Sequence, residues 1–345
     1  MGLREEILEQ PAAVARLLAD PDDQVARAAR RVADRAVPMV FLAARGSSDN
    51  AGLYAKYLWG AFNRLPVALA APSLFSVYSM PPAIGNALVV AISQSGQSPD
   101  IVSVMREGRR QGALTLAITN DPASPLAAAA ELVIDTMAGP ERAVAATKTY
   151  TTQLVTVAML SAAMAGSAEQ RAWLGRLPSL LDDALALDAT VRSAAVRHRS
   201  MDRCAVLGRG FNYATAFEWA LKLKELARVV AEPYSVADFE HGPVALARNG
   251  FPVFAVIPAG PIAASVMPLL TRLVQERRIE LLAISNDAGA LALADTPVPL
   301  PDDLPDWLSP IPAIVPAQLF CYHLTRAKGL DTEDPAGLSK VTRTV

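Results

Sequence analysis

An internal repeat constrains this chain more than any other feature of its 345 residues. Gly46 in Ala-Ala-Arg-Gly-Ser returns as Gly210 in Leu-Gly-Arg-Gly-Phe, and Gly96 in Ser-Gln-Ser-Gly-Gln returns as Gly260 in Ile-Pro-Ala-Gly-Pro, both 164 positions later. Ala117-Ile-Thr-Asn-Asp121 reappears as Ala283-Ile-Ser-Asn-Asp287 at an offset of 166. Register held over that distance means a tandem duplication, so both halves must fold alike. Each half carries short runs rich in Val, Ile, Leu and Ala, at 38–44, 66–70, 87–93, 114–119 and 131–135, then at 203–208, 252–258, 280–285 and 296–300. Longer amphipathic stretches separate them, which is the pattern of a parallel sheet covered on both faces by helices. The expected division is an N-terminal helical arm at 1–36, with two helices around Pro21-Asp22, one α/β unit at 37–180, a second at 181–330 and a C-terminal tail at 331–345. A helical linker is expected near 165–200.

Composition narrows the function classes. Apolar residues make up 52% and charged residues 19%, enough to bury a large core. The net charge of -2 offers no basic excess for nucleic acid or an anionic membrane, so a small-molecule ligand is expected. The longest apolar stretch, 154–165, contains Thr156 and Ser161 and falls well short of the ~20 residues that cross a bilayer. It reads as a buried helix. Cys204 and Cys321 lie far apart among apolar neighbours, and the first residues lack a secretory pattern, so a cytoplasmic location is expected. His198, His241 and His323 have no metal-ligand spacing, so neither a metal nor another cofactor is expected.

Chemistry concentrates at strand exits. Ser93-Gln94-Ser95-Gly96-Gln97-Ser98 follows one strand and precedes a helical pattern over 100–110. Hydroxyls and N–H groups at such a turn suit a phosphate, although a polar loop with Ser98 as helix cap reads the same. The repeat separates the two halves here. The second copy has Pro258-Ala259-Gly260-Pro261, which keeps the glycine but lacks hydroxyls and carries two prolines without N–H. Gly46-Ser47-Ser48-Asp49-Asn50 adds short donors at the first strand's exit, or forms a helix N-cap cluster.

Residues 213–230 read as one helix with an apolar stripe at Trp219, Leu223, Leu226 and Val230. Glu218, Lys222 and Glu225 form a second row at the edge of the buried face, where a carboxylate can serve as a proton-transferring base or belong to a solvated salt-bridge ladder. His241 precedes Gly242-Pro243, a forced turn, and can move a proton near neutral pH or be structural. Lys340 lies in a tail that frays unless it docks.

Together these residues resemble the sugar isomerase (SIS) family, and closely the isomerase portion of glucosamine-6-phosphate synthase. The resemblance runs from about residue 38 to the C-terminus. It is carried by Ser-Gln-Ser-Gly at 93–96, Ala-Thr-Lys-Thr at 146–149, Ala-Leu-Lys-Leu-Lys-Glu at 220–225, His-Gly-Pro at 241–243 and Leu-Ser-Lys-Val-Thr at 338–342. It implies two tandem SIS subdomains, each a flavodoxin-like αβα sandwich. A sugar phosphate would be held by Ser47, Ser93, Gln94, Ser95 and Ser98, with Gly46, Ser48, Asn50, Val144 and Glu218 completing the substrate site. Glu225, His241, Lys340 and Lys222 would be the catalytic residues. The family also implies a homodimer with shared active sites. The chain starts almost at the isomerase and has no cysteine at position 2, so glutamine is not the expected ammonia source. Arg45-Gly-Ser-Ser-Asp-Asn50 and the stretch 139–148 look more like the stand-alone SIS deaminases than the synthase, whose first motif has cysteine before the glycine. Ala146 stands where the synthase has serine and Glu240 where it has lysine.

The activity implied is conversion of an amino-sugar 6-phosphate, glucosamine 6-phosphate first, to fructose 6-phosphate and ammonia. His241 would open the ring, Glu225 would move the proton from C2 to C1 with Lys222 stabilising charge on oxygen, and Lys340 would capture C2 as a Schiff base. The alternatives are another phosphosugar isomerase, a fructosamine-6-phosphate deglycase, or a non-catalytic sugar-phosphate sensor.

Overall fold

A computed structural model describes residues 2–20 and 22–340. Strands β1 (Val40–Ala43), β2 (Val67–Leu69), β3 (Leu88–Ser93), β4 (Leu114–Thr119) and β5 (Leu132–Asp135) form one parallel sheet in the order β2-β1-β3-β4-β5. Strands β6 (Arg203–Gly208), β7 (Val230–Ser235), β8 (Pro252–Ile257), β9 (Glu280–Ser285) and β10 (Thr296–Pro299) form a second, in the order β7-β6-β8-β9-β10. The two orders are the same, and β3 with β8 and β4 with β9 keep the offsets of the sequence repeat. This is the two-subdomain α/β fold that the duplicated pattern implies. The central strands are buried along their whole length because helices cover both faces, which is why they read as continuous apolar runs rather than alternating ones.

The chain divides into two compact units. Among the described residues, the first comprises those of 9–142, 146–178 and 339–340; the second comprises 2–8, 143–145 and 179–338. In the first unit, Val89, Ala91, Ile101, Met105 and Leu126 form one core layer under the helix Pro99–Arg110. The helix Lys148–Ala165 packs on the helix Ser47–Asn63, with Trp59 donating its ring N–H to Val157 O. It contains the stretch 154–165, and nearly every residue up to Ala162 is buried. In the second unit, Leu207, Phe239, Val253, Leu270 and Leu281 form the matching layer. On its other side, Trp219 stacks on Phe254 at 5.0 Å between ring centroids, with Phe320 of the helix Pro310–Ala327 closing the cluster edge-on.

Three expectations need correction. The helix read over 213–230 ends at Ala227, where Arg228 turns left-handed at φ 53° and bonds back to Leu223 O. Val230 is 61% exposed and opens β7, so it does not belong to the apolar stripe. The N-terminal arm has three helices, Leu3–Leu8, Gln10–Ala19 and Gln24–Arg35, rather than two. Pro11 in the first turn of the second helix marks the extra break, because proline is tolerated there and not in a helix interior. Pro21, part of the expected turn, lies outside the described residues, as do Val341, Thr342 and the rest of the tail beyond Lys340. Glu218 and Lys222, expected at the edge of a buried face, are fully buried, because the helix Pro310–Ala327 packs against their helix as well as the sheet does. No helix among the described residues is long and apolar enough to cross a membrane.

Candidate active site

The serine-rich turn leaves the C-terminal end of β3 and enters the helix Pro99–Arg110. Gly96 holds it tight. Its φ is +62°, and a Cβ there would meet Ser124 Oγ at 2.1 Å, so no other residue fits without moving the neighbouring loop. Ser93 Oγ accepts the Gly96 N–H at 3.1 Å and Ser95 Oγ accepts the Gln97 N–H at 3.3 Å. Ser98 takes the N-cap position, yet its side chain makes no cap hydrogen bond. Its hydroxyl is therefore not committed to the helix end. Gln94 and Ser95 are half-buried.

The second copy shows what such a turn looks like when it closes on itself. Ala259 N–H donates to Asn286 Oδ1 at 2.7 Å, and Pro261 occupies the start of the next helix. The residues at the same repeat positions are Ser95 and Asn120. Asn120 directs its side chain to Gly139 O, the Ala138 N–H and Thr136 Oγ1 instead of to the serine turn. That difference favours an anion at the first copy and self-closure at the second.

At the exit of β1, Gly46 is the N-cap of the helix Ser47–Asn63 with φ +56°, and Ser47 is the first helical residue. Ser48 is buried, and its hydroxyl accepts from Gln153 Nε2 at 3.0 Å; Asn50 is buried too. This turn and the serine turn leave adjacent strands, β1 and β3, at the point where strand order reverses. Ligands of open parallel sheets bind in that crevice.

In the second unit, the helix Tyr213–Ala227 carries Glu218, Lys222 and Glu225. Lys222 Nζ lies 3.5 Å from Glu218 Oε1 and also bonds Glu225 Oε2. Glu218 and Lys222 are fully buried, while 24% of the Glu225 side chain reaches solvent. The lysine is thus fixed between two carboxylates, and only Glu225 opens outward. His241 is exposed, directly after the short helix Val236–Glu240 and before Gly242, whose φ of +132° permits the sharp turn. Glu240 pairs with Arg272 at 3.0 Å. Val144 is half-buried in the segment between β5 and the helix Lys148–Ala165.

Two buried charges in the first unit have partners too distant in sequence to be anticipated. Glu141, its side chain fully buried, accepts the Thr147 N–H at 2.9 Å, the Thr149 N–H at 3.1 Å, the Thr149 hydroxyl at 2.7 Å and Lys340 Nζ at 2.8 Å. One carboxylate therefore both fixes the start of the helix Lys148–Ala165 and docks the tail lysine. Lys148, also fully buried, bonds Glu9 Oε2 and Pro140 O, each at 2.7 Å. Burial works to raise the Glu9 carboxyl, but Lys148 and Arg16 outweigh it and hold it below the ordinary range. The lysine of Ala-Thr-Lys-Thr is thereby a structural tie to the N-terminal arm. Glu141 lies seven residues before the helix Lys148–Ala165, outside its first turn, so no local sequence signal marks it.

Comparisons with known proteins agree with this architecture. The SIS domain family matches residues 36–163 and 199–296. A glutamine–fructose-6-phosphate aminotransferase (isomerizing) of Methanothermobacter thermautotrophicus is 35% identical over 338 residues, which cover 97% of this chain and 56% of that protein. The chain thus spans about half the length of such curated relatives. Among solved structures, the C-terminal domain of glucosamine-fructose-6-phosphate aminotransferase from Francisella tularensis superposes with a TM-score of 0.87 at 29% identity, covering 96% of this chain and 97% of that one. A provisionally named phosphosugar isomerase from Silicibacter pomeroyi DSS-3 superposes with a TM-score of 0.86 at 36% identity, covering 96% and 100%. Matched in sequence over both repeats and in fold over nearly its whole described length, the chain belongs to the SIS domain family and shares the architecture of its phosphosugar isomerases.

Proposed function

We propose that this protein is an aldose-ketose isomerase that works as a deaminase, converting glucosamine 6-phosphate and water to fructose 6-phosphate and ammonia. The observation that carries the reading is Lys222, fully buried between Glu218 and Glu225 with Glu225 alone open to solvent. Burying two ionisable groups, Glu218 and Lys222, on one helix costs stability that a binding module has no reason to give up, whereas proton transfer at the adjoining Glu225 needs that arrangement. The serine turn holds the phosphate, so binding energy from a remote dianion orients the reacting carbons. His241 moves a proton between the ring oxygen and O1 to open the sugar. Glu225 takes the C2 proton and returns one to C1, while the Lys222 ammonium stabilises the negative charge on O1.

The product of that transfer is an imine at C2. Either water adds to that carbon and ammonia leaves directly, or Lys340 Nζ first displaces ammonia by forming its own imine, which water then hydrolyses to release fructose 6-phosphate and free the lysine. Lys340 must lose a proton before it attacks, and Glu141 Oε2 stands 2.8 Å away to take it. The protein works in this reading as a homodimer, with His241 supplied by the other chain. The buried free thiols of Cys204 and Cys321, both pushed up by burial and so unreactive, favour the cytoplasm.

The test is release of ammonia from a panel of amino-sugar 6-phosphates, assayed together with formation of ketose 6-phosphate. Glucosamine 6-phosphate should give stoichiometric ammonia and fructose 6-phosphate. Aldose-ketose interconversion without ammonia would support a plain phosphosugar isomerase instead, and amine release from a glycated amine phosphate alone would support a deglycase.

A further inference from the structure

Arg45 ends the β1 exit just before Gly46, and its side chain reaches across the crevice to the first turn of the helix Pro99–Arg110. Nε lies 2.9 Å and Nη2 2.8 Å from the same oxygen, Asp100 Oδ2. Asp100 is completely buried, and its other oxygen accepts the Ile101 N–H at 2.9 Å. The arginine side chain, by contrast, is 51% exposed. One edge of a planar five-donor fork is therefore locked on a buried carboxylate, and the rest of it is open to a ligand.

Three observations indicate what that ligand is. The bridge joins the two turns that flank the switch point between β1 and β3, so the guanidinium lies in the crevice where parallel sheets take ligands. Asp100 sits two residues after Ser98, in the first turn of the helix that the serine turn opens, where an unpaired carboxylate would repel an arriving anion. The second copy keeps the arginine as Arg209 but has Ala264 in place of the aspartate, so the clamp is missing from the copy whose turn closes on itself. Asp49, in the first turn of the helix Ser47–Asn63, fits the same picture. Burial raises its carboxyl above the ordinary range against the pull of Arg45, which lessens its repulsion of an anion.

We propose that Arg45, held in place by Asp100, binds the substrate phosphate alongside the serine turn. The inference deepens the function proposed above and rests on the serine turn being the phosphate site. The guanidinium so held is a fixed cation, suited to a dianion through paired hydrogen bonds.

The competing account is that Arg45 serves only to neutralise Asp100. Inorganic phosphate, titrated calorimetrically, separates the two. Arg45→Ala should weaken phosphate binding about ten- to a hundredfold, as loss of a charged hydrogen bond does. Because that variant leaves Asp100 buried without its partner, the deciding protein is the double variant Arg45→Met with Asp100→Asn. It preserves volume, removes both charges, and is checked for an unfolding midpoint near wild type. If the guanidinium contacts phosphate, the double variant stays as weak as Arg45→Ala. Wild-type affinity in the double variant, or no phosphate affinity in the wild type, would overturn the proposal. A protein that binds phosphate through Arg45 yet releases ammonia from no amino-sugar phosphate would instead defeat the deaminase reading and leave this inference standing.

Discussion

Glu141 offers the sharpest energetic prediction, because one buried carboxylate is asked to satisfy four donors. Its Oε1 accepts the Thr147 and Thr149 N–H groups, and its Oε2 accepts the Thr149 hydroxyl and the Lys340 ammonium. Glu141→Ala strands two backbone N–H groups at a buried helix start, at about 1–3 kcal/mol each, and breaks an ion pair. The Lys340 side chain is 25% exposed and can turn to water, so the pair itself adds little. The expected loss is about 3–5 kcal/mol, or roughly 10 °C in the unfolding midpoint of a unit this size. Glu141→Gln keeps one oxygen for the N–H groups but opposes an amide to the lysine, and should cost about 1–2 kcal/mol. Lys340→Ala should cost less than about 1 kcal/mol, since the carboxylate keeps three donors, while turnover falls steeply. Urea unfolding followed by circular dichroism ranks the three. A Glu141→Ala protein within about 0.5 kcal/mol of wild type, or a Lys340→Ala protein less stable than Glu141→Ala, would refute the reasoning.

Three further outcomes are expected. Ser95→Ala should weaken sugar-phosphate binding by about 1.5–3 kcal/mol and hardly affect the unphosphorylated sugar in calorimetry, whereas changing Ala259 should do nothing comparable; equal losses for both ligands would move the phosphate elsewhere. Burial pushes the Asp306 carboxyl up to about 6 from 3.8, and its Oδ1 has no partner. The folded state therefore holds that proton more tightly than the unfolded one, so the contribution is present below about pH 4 and lost as pH rises through about 6. Asp306→Asn should raise stability by about 1–2 kcal/mol at pH 7.5, after allowance for partial exposure, and leave it unchanged at pH 4; the same gain at both values would rule the carboxyl out as its source. Finally, mixing Glu225→Gln chains with His241→Ala chains should restore about a quarter of wild-type activity if sites are shared across a dimer. No recovery, with subunit exchange confirmed by mass spectrometry, would assign both residues to the site of their own chain.

The repeat made most of the fold legible. Nine of the ten strands fall on apolar runs legible in the sequence, and those of β1, β3, β4 and β5 recur in the second copy as β6, β8, β9 and β10. β7 escaped because Val-Ala-Glu-Pro-Tyr-Ser carries a glutamate and a proline, tolerable only at a sheet edge, and follows a helix with two residues between. The grouping of candidate residues was legible where they are close in sequence, as in the serine turn and the Glu218–Lys222–Glu225 row. Burial depth was not, because the helical phase of Glu218 cannot reveal that a helix from residues 310–327 lies over it. Pairs such as Glu141 with Lys340, 199 positions apart, and Glu9 with Lys148, 139 apart, have no local signature. Each half reads as an ordinary polar residue until the fold joins them.

The central claim is that Glu225 moves a proton between C2 and C1 of an amino-sugar phosphate. Solvent deuterium tests it most directly. In deuterium oxide, wild type should wash deuterium into C2 of recovered glucosamine 6-phosphate and C1 of the fructose 6-phosphate formed, with ammonia released in step. Glu225→Gln should do neither while binding the sugar phosphate as wild type does, since the amide keeps shape but cannot take a proton. Deuterium entering C2 at an undiminished rate in the Glu225→Gln protein would contradict the account.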